Sequence, residues 1–172
     1  MAVDSTRLRI IHYPDPVLRR KAQPIERITD EVRAVAMKML ELMHQAPGVG
    51  LAAPQVGLPW RLFVANPTQD PAEDRVFVNP QLSDPARELV DYEEGCLSLP
   101  DIRADIRRPR AVTITATDLE GHSFTLTSDE LPARIWQHEY DHLDGVLILD
   151  RMSPIDRMAN RKLIRQLEAA GA

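Results

Sequence analysis

Apolar residues recur at Val32, Val35, Met39, Leu42 and Met43, a three-and-four spacing that lays one stripe along a helix. Ile28-Thr29-Asp30-Glu31 supplies its start, with Thr29 or Asp30 as the cap, and Pro47-Gly48 its stop. Upstream, Tyr13-Pro14-Asp15-Pro16 predicts a turn, followed by a short helical turn at Leu18 to Lys21. Beyond a glycine-rich stretch the period changes. Arg61 to Ala65, Val76 to Asn79, Glu88 to Tyr92 and Val112 to Thr117 are short, rich in β-branched or aromatic residues, and separated by Pro, Asn, Asp and Gly, so they read as strands. Thr113, Thr115 and Thr117 alternate with Val112, Ile114 and Ala116, and Glu120-Gly121 before Phe124 and Leu126 predicts a hairpin. From Ser128 or Asp129 the helical period returns through Leu131, Ile135, His138 and His142 and stops at Gly145. Ser153-Pro154 is an N-cap with proline at the first helical position, opening a last helix that carries Met158, Leu163 and Leu167. This order predicts an α+β fold: antiparallel strands packed around a central helix bearing His138 and His142, with one helix in the N-terminal half and one at the C-terminus.

Composition narrows the class. A chain of 172 residues buries a core without disulfides, and a single domain over residues 1–172 is expected. Apolar residues at 44% beside charged residues at 27% exclude a disordered chain. A formal net charge of −5 offers no broad cationic face for phosphates, so no DNA or RNA substrate is expected. Met1 to Ile10 is polar and charged, without the apolar core of a secretory signal, and no apolar run approaches the span of a bilayer. The expected location is the cytoplasm, with no membrane partner. The one cysteine, Cys96, has no internal disulfide partner, which leaves a core thiol, a nucleophile or a metal ligand.

His138-Glu139-Tyr140-Asp141-His142 reads H-E-x-x-H. On a helix, two imidazoles four residues apart project from one face and can grip one ion. A catalytic site of this kind takes three protein ligands and leaves the fourth position to water, whose pKa the cation lowers. The third ligand must come from elsewhere. His12, His44, His122, any carboxylate or Cys96 qualifies, and the soft thiolate of Cys96, within Glu94-Gly95-Cys96-Leu97-Ser98, is preferred over the others. A thiol buried in a strand is the bland alternative. Glu139 is placed to take a proton from water attacking a carbonyl and pass it to the departing amine. The competing account is a solvated helix carboxylate paired with Arg134. Asp141 and Asp144 are helix-surface residues or acceptors for an imidazole N–H. An oxygen that becomes negative needs preorganised donors. Gln55, ending Gly48-Val49-Gly50-Leu51-Ala52-Ala53-Pro54-Gln55, offers an uncharged amide, unless that run is an ordinary loop with Gly48 as a C-cap.

Three segments together resemble the peptide deformylase family: Gly48 to Gln55 as G-x-G-L-A-A-P-Q, Glu94 to Ser98 as E-G-C-L-S, and His138 to His142 as H-E-x-D-H, in the family's order. Pro14-Asp15-Pro16-x-Leu18-Arg19 and Leu143-Asp144-Gly145 extend the likeness over nearly the whole chain. The resemblance implies a hydrolase that removes the formyl group from the N-terminal formyl-methionine of nascent chains. It implies Cys96, His138 and His142 as ligands of one divalent ion, Fe²⁺ favoured in the cell and Zn²⁺, Ni²⁺ or Co²⁺ compatible with the donors. It also implies Glu139 as acid/base, and the Gln55 amide and Leu97 backbone N–H as donors to the formyl oxygen. Gly50 would pair with the substrate main chain and Arg103 would lie near the peptide. The methionine side chain needs an apolar pocket, for which Leu131, Ile135 and Val49 are candidates, each equally at home in a core. Some members bring a basic C-terminal helix to the ribosome. Here Arg157, Arg161, Lys162 and Arg165 lie at near-helical spacing, and a solvated face explains the same pattern. N-formylmethionyl peptides are the expected partners and a monomer the expected state. Two departures stand out: Val49 where isoleucine is frequent, and the bulk of Trp136 two residues before the first histidine.

Rival readings use the same residues. A zinc endopeptidase shares H-E-x-x-H but commonly adds a further His or Glu ligand rather than an upstream thiolate. A structural metal site would be closed by a fourth protein ligand, His122 or His12. A relative that has lost activity would carry a changed Glu139 or Gln55, and both are present.

Overall fold

In the computed structural model, which describes residues 2–171, Thr29 starts the first long helix by accepting the Val32 N–H on its side chain. The helix, α1 (Asp30–Gln45), buries Val32, Val35, Ala36, Met39, Leu40 and Met43. Leu42, expected on the stripe, sits half-buried at its margin. The chain then enters β1 (Gly50–Ala52) and a 3-10 turn over Ala53–Val56, so the glycine-rich run is not the ordinary loop that one of its two readings predicts.

β1, β2 (Leu62–Ala65), β3 (Arg75–Ser83), β6 (Val112–Thr117) and β7 (Ser123–Ser128) form a five-stranded antiparallel sheet in the order β1-β2-β3-β6-β7. The predicted hairpin is the β6–β7 pair, registered Ala116 to Phe124 and Ile114 to Leu126. Side chains alternate across the sheet with a period of two. Leu62, Val64 and Val78 join the cluster around α1, whereas Phe63, Ala65, Phe77 and Ile114 join the cluster on the opposite face. That second face is covered by α2 (Leu131–Leu143), through Ala133, Ile135, Trp136 and Leu143. Because β2 is covered on both faces, all four of its residues are apolar and buried. Trp136 packs on the sheet side of α2, buried, its ring centroid 6.2 Å from that of Phe77.

Between β3 and β6 the chain makes a second sheet of two strands, β4 (Leu89–Cys96) and β5 (Leu99–Pro109). β5 was not expected. Its inward side chains from residue 102 on are Ile102, Ala104, Ile106 and Arg108, and an alternation that includes a small residue and a buried arginine has a weak hydrophobic signature. The predicted C-terminal helix is two helices, α3 (Pro154–Ala159), capped by Ser153, and α4 (Arg161–Ala170). The break is Asn160, whose side-chain amide donates to the Arg103 carbonyl of β5 and to the Asp156 carbonyl, both at 2.9 Å. α4 thus covers β5, with Ile164 in a third apolar cluster beside Ile102, Ala104 and Ile106. α2 starts after Glu130 with Pro132 in its first turn, slightly later than Ser128 or Asp129 would have it. No helix among the described residues is long and apolar enough to cross a membrane.

Phe77 joins sheet to helix: it stacks on Phe63 at 4.6 Å, meets Phe124 edge-on at 5.4 Å and faces Trp136. Phe77→Ala is expected to lower stability by about 3–5 kcal/mol, read from urea unfolding of the metal-free chain.

Candidate metal centre

α2 carries His138 and His142 on one face, and β4 ends at Cys96 as the chain turns through Leu97 and Ser98 into β5. Cys96 Sγ lies 3.5 Å from His142 Nε2, and that nitrogen lies 3.2 Å from His138 Nε2. All three ligand atoms are within 4.8 Å of one another. A tetrahedral ion with bonds of about 2.0–2.1 Å to nitrogen and about 2.3 Å to sulfur requires N–N and N–S edges of roughly 3.4 and 3.6 Å. The donors therefore fit one cation. Among the described residues no fourth His, Cys, Asp or Glu joins the group. His122 is exposed near Asp118, and His44 is hydrogen-bonded to Asp74 at 2.7 Å, while His12 lines the cleft beside the site.

The histidines are tuned in opposite directions. Burial opposes a charge on His138, but hydrogen bonds to Cys96 and Glu94 and the charges of Glu139 and Cys96 outweigh it and raise its pKa well above the usual imidazole value. Burial, then the charges of His138 and Arg108, hold His142 well below that value, as a neutral ring. A cation arriving between them would displace the His138 proton.

Glu94 is the residue that sequence reasoning missed. Asp141 and Asp144 are the candidate acceptors near the histidines in sequence, but His138 Nδ1 donates to Glu94 Oε1 at 2.8 Å, which turns Nε2 toward the other two candidate ligands. The same carboxylate accepts Arg108 Nη2 at 2.9 Å on Oε1, and Arg108 Nε at 2.7 Å and Arg134 Nη1 at 2.9 Å on Oε2. Burial alone would raise its pKa; the hydrogen bonds from His138 and Arg108 and the charge of Arg108 hold it far below the usual carboxylate range. Asp141 instead accepts Arg108 Nη1 at 2.8 Å, and Asp144 pairs with Arg61 at 2.9 Å.

Arg134, given to Glu94 and to the carbonyls of Ile106 and Val90, does not pair with Glu139. Glu139 is buried, its Oε1 4.0 Å from His138 Nε2 and its Oε2 without a hydrogen-bond partner. Burial pushes its carboxyl up to about 7, against the lowering charge of His138. Its flank is Gly50, where a Cβ would meet Glu139 Oε1 at 2.5 Å. Gly48 is crowded in the same way by Leu97, whose Cδ1 would lie 2.8 Å from a Cβ there.

Gln55 points its amide into the site. Its Oε1 accepts the Ala52 N–H at 2.9 Å, so Nε2 is turned to Cys96 Sγ at 3.5 Å and to Ser98 Oγ at 3.2 Å. Ser98, fully buried, was not singled out by the sequence. A cleft of about 720 Å³ opens over these groups and is bordered by Val49, Gly50, Leu97, Arg103, Leu131 and Ile135 among others. Val49 at 38% and Leu131 at 37% exposure are wall residues rather than core, whereas Ile135 is buried and reaches both. Arg103 is exposed, 3.9 Å from Glu93.

The chain is similar to known enzymes. The family described as polypeptide deformylase matches residues 7–158. A peptide deformylase of Acinetobacter baumannii (strain SDF) is 44% identical over 165 residues, covering 94% of this chain and 94% of its own. Peptide deformylase 1B, chloroplastic/mitochondrial, of Arabidopsis thaliana is 45% identical over 150 residues; these are 86% of this chain but span only 55% of the plant protein's length. A plant peptide deformylase crystal structure superposes with a TM-score of 0.92 at 42% identity, covering 96% of this chain and 91% of that one.

Removing the Glu94 carboxylate tests the site without touching a ligand atom. The native chain is expected to take up one divalent ion, and Glu94→Ala to bind it about 10–100-fold more weakly, measured by competition with a chelator.

Proposed function

The chain belongs to the peptide deformylase family of enzymes, and from that premise we propose that it hydrolyses the N-formyl group from the N-terminal formyl-methionine of newly made polypeptides. One observation carries the reading: Cys96 Sγ, His138 Nε2 and His142 Nε2 converge within 4.8 Å beside a buried Glu139 whose Oε2 has no partner. When bound by these three residues, a divalent ion supplies a Lewis acid and a water acidic enough to ionise near neutrality. Fe²⁺ is the ion favoured in the cell, and Zn²⁺, Ni²⁺ or Co²⁺ suits the same donors.

Glu139 Oε2 takes the proton lost by water as its oxygen bonds to the formyl carbon. As the C–N bond breaks, the same oxygen gives that proton to the methionine nitrogen, so the products are a free amine and formic acid, which ionises to formate by releasing its proton to solvent. Gln55 Nε2 and the Leu97 N–H donate to the formyl oxygen as it becomes negative. The Gln55 amide is held in that orientation by Ala52 and Ser98, so little reorganisation is needed. β1 is an edge strand, and Gly50 on it offers its main chain to the peptide. Val49, Leu131 and Ile135 form an apolar wall for the methionine side chain, and Arg103 stands at the rim for the following residues.

The same reading makes residues 1–172 one catalytic domain, monomeric and cytoplasmic. Arg157, Arg161, Lys162 and Arg165 are all exposed on α3 and α4, and these would carry any transient ribosome contact.

The test is anaerobic purification with metal analysis, then kinetics on formyl-methionyl peptides and on the same peptides blocked at the amine by acetyl. Deformylation without cleavage of internal bonds is expected. Glu139→Gln should keep its metal and lose at least about two orders of magnitude in rate. Gly50→Ala, which forces Glu139 aside, should lose up to roughly 10²-fold in kcat. Native rates in Glu139→Gln, or cutting at internal peptide bonds, would overturn the proposal.

A further inference from the structure

The candidate ligands come from two elements, the β4–β5 hairpin with Cys96 and α2 with both histidines, so their spacing depends on what holds hairpin to helix. Arg108 of β5 does this with three arms: Nε and Nη2 on Glu94 of β4, and Nη1 on Asp141 of α2 at 2.8 Å. It is almost wholly buried, as is Glu94. Asp141 lies between the two histidines in sequence, and its carboxylate is gripped from the other side by Arg151, with Nε 2.5 Å from Oδ2 and Nη2 2.7 Å from Oδ1. Charges alternate along the whole path, from the His138 ring through Glu94, Arg108 and Asp141 to Arg151 at the surface.

Resting on the reading that Cys96, His138 and His142 bind one ion, we propose that Asp141 and Arg151 are positioning residues for that ion. Arg151 neutralises the outer side of Asp141, Asp141 holds Arg108 in its three-armed pose, and Arg108 fixes Glu94 against His138 Nδ1. Inside a protein such a network is coupled, because each buried charge left short of a partner draws on the next. Without Arg151, Asp141 would lean on Arg108 alone, and Arg108 would be pulled from Glu94. The hairpin would loosen against the helix, and the sulfur would lose its fixed distance to the imidazoles. The bland account is that an arginine with a side chain 42% exposed makes a surface ion pair of little consequence. The two accounts predict different metal release.

The experiment uses the full chain loaded with Co²⁺. It follows release to a chelator in excess, the thiolate-to-cobalt absorption band, and the unfolding midpoint of the metal-free chain. Asp141→Asn is expected to speed release about 10–100-fold, and Arg151→Met, one step further out, about 3–10-fold with a shifted band. Arg151→Lys, which keeps the charge, should fall between Arg151→Met and native. The metal-free midpoint of Arg151→Met should stay within about 3 °C of native, the size of a surface pair's effect in a domain of this length. Native release from Arg151→Met would overturn the proposal, as would faster release accompanied by a larger fall in the metal-free midpoint. A native chain that takes up no Co²⁺ would sink the metal reading itself and this inference with it.

Discussion

A carboxylate taken out of water is destabilising unless its oxygens are filled, and Glu94 is filled by four donors from three side chains. Everything near the candidate centre leans on that arrangement. Glu94 reaches from β4 to α2 through His138 and Arg134, and across its own hairpin to Arg108 of β5. Its ionised state selects the tautomer of His138, so Nε2 rather than Nδ1 faces Cys96. Replacing Glu94 would leave Arg108 with Asp141 alone, and replacing Arg108 would leave Glu94 with Arg134 and His138, so each loss leaves a buried charge short of partners and the pair specifies one packing of hairpin against helix. The apolar layers on the far side of α2 set the helix on the sheet. They do not set how far Cys96 stands from it.

Residue patterns exposed some of this more readily than the rest. The α1 stripe, the strands around Phe63 and Ile114, the β6–β7 hairpin and the helix of His138 and His142 were all legible, because each places apolar residues on its inward side at a regular period. β5 was not, since two of its inward positions are Ala104 and Arg108, and the buried arginine is inward for the sake of Glu94 and Asp141 rather than for apolar area. The Asn160 break was hidden for a related reason: its partner, the Arg103 carbonyl, is 57 residues away. Cys96 could be chosen among the candidate ligands by its softness. The carboxylate behind His138 could not, because Glu94 and the two aspartates near the histidines are chemically alike and only the chain's path separates them.

The glycine-rich segment gives the same lesson in reverse. Gly48 and Gly50 allow an ordinary loop with Gly48 as a C-cap as one reading, yet Gly50 is in a strand and neither glycine has a positive φ. Both are small because large side chains arrive from elsewhere, Leu97 onto Gly48 and Glu139 onto Gly50. Glycine is required here by approach rather than by backbone freedom. The segment is held further by its neighbour loop, where the Gln69 amide donates to the Gly48 carbonyl at 2.9 Å and the Asn66 N–H to the Val49 carbonyl at 2.8 Å. A wall fixed at this many points presents β1 to the cleft as a firm edge.

The two buried glutamates, one on each side of His138, are driven apart by what surrounds them. Arg134 is on the same helix as Glu139 and near enough in sequence to be read as its ion-pair partner, but the fold turns it and Arg108 to Glu94. One carboxyl therefore has several cationic donors and stays ionised, while the other has burial, an unfilled Oε2 and a pKa near 7. A group proposed to accept and return a proton in one turnover must not be tied to an arginine, which would hold it as the anion. A metal ligand's outer acceptor has the opposite need, a charge that does not change. Exchanging the partners of Glu94 and Glu139 would leave the side chains and net charge of the centre the same and would spoil both tasks, so the division of arginines between them is as much a part of the candidate site as the ligands.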